Sequence, residues 1–382
     1  MKISGKTKRK YTGELIRFNK SLIFPLNKIK SVLPYNYTKI DIFDLFKELY
    51  PYEWNIIKQR YKQGKEKDDF LVKTGKKKRY FPIEPDEYLF KLQKVKHMIL
   101  SGEKNLHKID FNEEKRLSEL KILQNKAKLR MSRFNEKINK NKEYIQELEP
   151  LYIDIFIQAY HKKGTTTEDK IEVFKELQKY ECDKSINFFY KINDSERNNQ
   201  IRRMAFNHLQ SIGKYVKLRK NSKGNKKSYM IARTSFDMKP FDLVKKIEEN
   251  TIQNKKSFDF FISHSSLDYK IVKSVINYLN KSKIHIYCDW FNDTDFLRRK
   301  DASEYTKVVL RKRIEQSSKV LFIRTLNTND ENNKYYSEWI EMEILYAKKI
   351  NKKIECINLI DDDCEFKIYK YAKLIPELGV IV

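Results

Sequence analysis

Glycine is scarce, with nine in 382 residues. That leaves no phosphate-cradling GxxxxGK[ST] loop and no GxGxxG fingerprint, so a nucleotide would have to be held some other way. The four cysteines, Cys182, Cys288, Cys356 and Cys364, show no CxxC pairing. They are too few for a disulfide framework or a zinc cage, and a reducing cytoplasmic setting with no metal site is expected. No apolar run approaches the ~18 residues of a membrane span. The best, Leu151–Tyr160, is short and carries Asp154, and the basic start MKISGKTKRKYTGELIRF leads into no signal-peptide core. A membrane role is not expected.

Positive charge is plentiful and unevenly placed. Lys+Arg 80 against Asp+Glu 52 gives +28. Residues 257–382 hold 21 basic and 19 acidic side chains, which leaves 59 and 33, a net of +26, for residues 1–256. A basic N-terminal region invites nucleic acid as a partner. A generally Lys-rich proteome would give the same number, and both readings stand. The 40% hydrophobic content is enough for packed cores.

Three regions follow from patterning. Residues 1–160 read as a basic helical region. Ile40–Leu49 is an amphipathic helix and Gly75–Tyr80 (GKKKRY) a basic turn or strand edge. Residues 111–149 contain neither Gly nor Pro, and Leu117, Leu120, Leu123, Ala127, Met131, Phe134, Ile138, Ile145 and Leu148 recur at gaps of three and four, with Asn141 at one position of the seam. This predicts one long helix ended by Pro150, either packed in a bundle or self-associating through its seam. Residues 161–250 read as a second helical module, with a cap in Thr165–Asp169, helices over Ile171–Tyr180 and Ser195–Ile212, and Gly213 as terminator. A hairpin with a very basic tip is expected over Tyr215–Ile231. Residues 257–382 alternate short apolar runs (Phe258–Ser263, Ile284–Cys288, Lys319–Thr325, Lys353–Ile360, Leu378–Val382) with helical spacings (Leu267–Asn280, Ala302–Gln316, Ser337–Ile350). Such alternation predicts a parallel sheet covered on both faces, with ligands beyond the carboxyl ends of the strands.

Four stretches of this last region resemble, in order, the motifs of a Toll/interleukin-1 receptor (TIR) domain of the bacterial kind. FDFFISHSSLD (Phe258–Asp268) resembles the first strand and its loop, and IYCDWFND (Ile286–Asp293) the second strand and the BB loop. RIEQSSKVLFIRT (Arg313–Thr325) resembles a helix and the third strand, and SEWIEMEILYA (Ser337–Ala347) the Ser-x-Trp-x-x-x-Glu helix. The implied fold is a mostly α N-terminal region plus a C-terminal α/β flavodoxin-like TIR domain.

The resemblance also implies chemistry. Many bacterial TIR domains cleave NAD+, as substrate and not as cofactor, to nicotinamide and ADP-ribose or a cyclic isomer, in defence against phage. The glutamate of the helix motif is their catalytic residue, and Glu343 stands there. Trp339, Glu343 and Ala347, four apart, share a face that Glu341 does not. Substrate contacts implied by family position are His264, Ser265, Trp290 and Trp339. Trp290 would stack on a ring of the dinucleotide or belong to core or interface, and Trp339 would pack or contact. Arg298 and Arg299 would reach a pyrophosphate or simply face solvent. The family further implies homo-oligomers through TIR–TIR packing, with activity controlled by N-terminal sensing or assembly. One departure is the absence of glycine from residues 257–376, since BB loops of the family often carry Gly or Pro. Two other readings are a non-catalytic TIR adaptor and a nucleic-acid-binding protein with a TIR docking module.

Overall fold

A computed structural model of the chain describes residues 6–216, 240–249, 252–294, 303–329, 334–360, 364–370, 372 and 375. The chain forms two compact units, Met1–Lys140 and Asn141–Val382. The first boundary therefore falls inside the region expected to run to residue 160.

The first unit is helical. The helix Lys39–Leu49 begins with a capping box, in which the Thr38 hydroxyl accepts from the Asp41 amide and the Asp41 carboxylate accepts from the Thr38 amide at 2.7 Å. Its Ile42, Phe46 and Leu49 join Leu26, Ile29, Ile57, Val95 and Met98 in one buried core. The basic stretch after Gly75 is an irregular loop. Asp68, buried on the helix Pro51–Lys73, fixes that loop by accepting the backbone amides of Arg79, Tyr80 and Phe81 at 2.8–2.9 Å.

The long helix spans Glu113–Asn141, eight residues short of the expected end at Glu149. The reason is tertiary. The Gln146 amide donates to the Lys179 carbonyl at 2.8 Å and the Gln146 carbonyl accepts from the Glu181 amide at 2.9 Å, so pairing across to another segment replaces the helical bonds. Leu148 is buried in the second unit. Leu120 and Leu123 pack on the first unit's core, and Phe134 meets Tyr52 edge-on at 4.7 Å. Leu120, Leu123 and Phe134 of the seam are thus used inside the unit, while Leu117 is exposed.

In the second unit, helices Ile153–His161, Thr167–Gln178, Asp183–Ser195 and Asn199–Ser211 precede the sheet. The first and third were not legible as separate helices, and the pattern read as Ser195–Ile212 begins later. Glu196 is extended, and Asn198 caps the next helix by accepting the Gln200 amide at 2.9 Å. Thr166 and Asp169 form the expected cap, and Gly213 sits at φ +78° as terminator. The basic hairpin lies outside the described residues from 217 onward, as do Arg298, Arg299 and Leu378–Val382.

Among the described residues, five parallel strands form one sheet in the order β2-β1-β3-β4-β5. They are β1 (Phe258–Ser263), β2 (Ile286–Tyr287), β3 (Ser317–Arg324), β4 (Ile354–Asn358) and β5 (Lys367–Ile368). This is the flavodoxin-like order expected of the α/β part, and β5 is a strand the patterning did not suggest. Helices Tyr269–Lys281, Glu304–Glu315 and Glu338–Lys349 connect the strands. One face of the sheet buries Phe258, Phe261, Tyr287 and Phe322 in the same apolar cluster as Tyr152, Phe156, Phe174 and Tyr180 of the helical module. That continuous core explains why residues 141–256 and the sheet make one unit.

The same junction holds buried charge. Arg313 Nε and Nη2 meet the two Asp293 carboxylate oxygens at 2.8 and 3.2 Å. Glu176 Oε2 lies 2.9 Å from both Lys179 Nζ and Lys256 Nζ. Burial opposes ionisation of both carboxylates, but the surrounding cations win and hold both well below their ordinary range, Glu176 down to about 2.

Candidate active site

The carboxyl ends of β1 and β2 face the helix that follows β3. Ser263 is the last residue of β1 and fully buried, and its hydroxyl donates to Glu343 Oε2 at 2.7 Å. Glu343 is carried on the helix Glu338–Lys349 and is 8% exposed. Its helical spacing does what four-residue periodicity predicts, since Glu343 and Ala347 are buried, Trp339 is half-buried and Glu341 is exposed. Burial pushes the Glu343 carboxyl up to about 8. The Ser263 hydroxyl opposes the shift, and the Asp289 charge adds to it. A carboxyl group kept largely protonated near neutrality is what a functional site commonly builds.

His264 follows Ser263 directly. Its ring stands edge-on to Trp290, with centroids 4.3 Å apart and planes at 88°. Its Nδ1 lies 3.3 Å from the Ile262 carbonyl and its Nε2 lies 3.8 Å from Asp289 Oδ1. Burial pushes its imidazole pKa down, so the neutral ring dominates. Trp290 also lies 5.4 Å from the Tyr269 ring. His264, Trp290 and Glu343, named from sequence, are thus gathered at one end of the sheet, with Asp289 acting on both His264 and Glu343.

Two other candidates are placed differently. The Ser265 hydroxyl caps the short turn Ser266–Asp268, accepting the Leu267 amide at 3.3 Å. Trp339 packs against the second unit's main core. Sequence reasoning passed over Ser263, although a strand's last residue in a parallel sheet is where such a partner belongs. It also passed over Asp268, whose carboxylate accepts from Thr325 Oγ1 and Asn327 Nδ2, both at 2.6 Å, tying the loop after β1 to the loop after β3. A cluster of donors was missed as well: His264, Cys288 and Asp289 offer ligand atoms within 4.8 Å of one another. The expectation of no metal-ligating set rested on spacing along the chain, and this set is assembled across two neighbouring strands.

No protein-family model matches the chain, and no solved structure does. Among curated proteins, it is 49% identical over 361 residues to a putative cyclic ADP-D-ribose synthase TIR2 of Cytobacillus dafuensis. That similarity covers 94% of this chain and 93% of the relative, so it runs through both units. It is 29% identical over 154 residues to a probable 3′ cyclic ADP-D-ribose synthase ThsB′ of Bacillus cereus (strain MSX-D12), covering 39% of this chain and 76% of that protein. No helix among the described residues is long and apolar enough to cross a membrane.

Proposed function

The chain belongs to the bacterial TIR-domain family, and from that premise we propose that it breaks the nicotinamide–ribose bond of NAD+ and closes the remaining ADP-ribose into a ring, as an effector of anti-phage defence. The observation that carries this reading is Glu343, a desolvated carboxyl held by Ser263 beyond the carboxyl end of β1. The cyclic product is favoured by what the two relatives are named for, cyclic ADP-D-ribose synthesis.

One carboxylate suffices for this bond. Ordinary glycosidases use two because a poor leaving group must be protonated. The nicotinamide of NAD+ is already cationic and departs neutral, so no general acid is needed. What remains is stabilisation of the positive charge that develops on the ribose, and an ionised Glu343 in a dry setting supplies it. The free carboxyl, near pKa 8, is largely protonated at neutral pH. The positive nicotinamide arriving beside it favours the ionised form. Exclusion of water at the same place favours attack by an atom of the substrate itself over hydrolysis. His264 and Trp290 form the adjoining wall, and the ring pair offers an aromatic edge and face to the dinucleotide. In the same reading the basic first unit senses the trigger, nucleic acid among the candidates. TIR–TIR packing between copies switches the enzyme on, in the cytoplasm.

The test is NAD+ turnover by chromatography on the full chain beside Glu343→Gln, with and without a crowding agent that promotes assembly. Nicotinamide release with a cyclic ADP-ribose isomer, lowered by about a thousandfold or more in the variant, is expected. Turnover undiminished by Glu343→Gln would remove Glu343 from the reaction. Linear ADP-ribose as the sole second product would make the protein a hydrolase.

A further inference from the structure

We propose that His264, Cys288 and Asp289 form a binding site for a divalent metal of the zinc type at the carboxyl ends of β1 and β2. Among the described residues this is the grouping of three such donors, with all ligand atoms within 4.8 Å. The fold makes it. β1 and β2 are parallel neighbours, with Phe261 opposite Tyr287, so the residues just beyond the two strands emerge side by side.

The ring of His264 is set as a ligand. Its Nδ1 lies 3.3 Å from the Ile262 carbonyl. An N–H there places the lone pair on Nε2, the tautomer that metal-bound histidines adopt when the other nitrogen is tied to a carbonyl. Nε2 then faces Asp289 Oδ1 at 3.8 Å, too far for a hydrogen bond. The Trp290 amide donates to the same Asp289 oxygen at 2.9 Å and fixes the carboxylate opposite Nε2, so a cation placed between the two would join atoms already held in position. The T-shaped contact with Trp290 holds the ring in that orientation.

Cys288 Sγ supplies the third donor, 3.8 Å from the same Asp289 oxygen. Tetrahedral zinc with bonds of 2.0–2.3 Å sets its ligand atoms about 3.4–3.7 Å apart. Both measured separations reach that spacing by closing a few tenths of an ångström. Nitrogen, sulfur and one carboxylate are the donors of Zn2+ or Co2+, whereas Mg2+ and Ca2+ ask for oxygen throughout. Three protein ligands leave a fourth position for solvent. Asp289, 38% exposed, gives the ion a way in. Binding exchanges the Cys288 S–H proton, which leaves to solvent, for a metal–thiolate bond.

The test uses the full chain, stripped by chelator and desalted, titrated with Co2+ alone. A thiolate-to-cobalt charge-transfer band saturating at one ion per chain, reversed by Zn2+ and accompanied by proton release, is expected. Cys288→Ser removes the band. Asp289→Asn, which leaves the buried core intact, weakens binding by about tenfold or more. It keeps the test decisive if the Cys288 variant does not fold. Cys182→Ser and Cys364→Ser leave the band unchanged. Absence of the band in the folded full chain overturns the proposal. So does a band that survives Cys288→Ser and Asp289→Asn.

Discussion

Ser263 Oγ donates to Glu343 Oε2 at 2.7 Å, joining the end of β1 to the middle of a helix 80 residues away in sequence. Both groups are buried, so the bond favours the ionised carboxylate where little else does. Hydrogen bonds to charged groups are worth about 1.5–3 kcal/mol, and one pKa unit is about 1.4 kcal/mol. Ser263→Ala is therefore expected to raise the Glu343 pKa by about one to two units and to cut kcat/KM at pH 7 by about tenfold or more. The loss should shrink as pH rises, because the ionised form is still reachable. A loss equal at every pH would mean that Ser263 acts by packing alone.

The wild-type pH profile follows from the same group. Glu343 is pushed up to about 8, mainly by burial, with Asp289 adding to the shift. If the ionised form does the work, kcat/KM climbs about tenfold per pH unit below about 8 and levels above it. A steady-state series from about pH 6 to pH 9.5 reads this directly. A flat line across that range removes the ionisation of Glu343 from the rate equation.

Stability should move the opposite way. A carboxyl whose folded pKa exceeds its ordinary value of 4.5 binds its proton more tightly folded than unfolded. Stability is therefore full below about pH 4.5 and falls as pH rises towards about 8, by up to about 1.4 kcal/mol per unit. Glutamine cannot ionise. The melting temperature of Glu343→Gln relative to wild type should accordingly rise between about pH 5 and pH 8, by an amount equivalent to a few kcal/mol. A constant difference over that window would mean the carboxyl is not desolvated.

Much of this was legible because local signals agreed with the global fold. Phe258–Ser263 is an apolar run, and it forms a strand with those bounds. The Trp339–Glu343–Ala347 spacing placed the carboxyl on the helix's inward side, where it is found. What failed were positions decided by distant partners. Residues 142–149 have a helical composition, yet Gln146 pairs with the Lys179–Glu181 segment and its side chain reaches the Ile286 carbonyl at 3.2 Å. Nothing within eight residues of Gln146 signals that. The His264–Cys288–Asp289 grouping is hidden for the same reason, since 24 residues separate its first two members and only strand pairing brings them together.

Asp293 shows how strongly the helical module and the sheet depend on one another. It sits six residues beyond the end of β2, fully buried, and accepts from Arg313 twice and from the Tyr287 hydroxyl at 3.0 Å, with Lys256 Nζ 3.7 Å away. Asp293→Asn would leave Arg313 and Lys256 buried with one fewer counter-charge, which costs about 3–5 kcal/mol. Adding Arg313→Met should recover part of that loss, because an apolar side chain of similar length asks for no partner. Urea unfolding of the two variants at pH 7 measures both effects. A single variant within about 1 kcal/mol of wild type would show that water reaches the cluster. The lowered pKa values of Asp293 and Glu176 set a matching acid limit: the Glu176 contribution is present above about pH 4.5 and is lost as pH falls through about 2, and that of Asp293 persists to lower pH still. Since Lys179 also donates to the Asn292 carbonyl, loosening this cluster frees the chain that carries Asp289 and Trp290. Asp293→Asn should then reduce NAD+ turnover at pH 7 under conditions where the second unit is still folded.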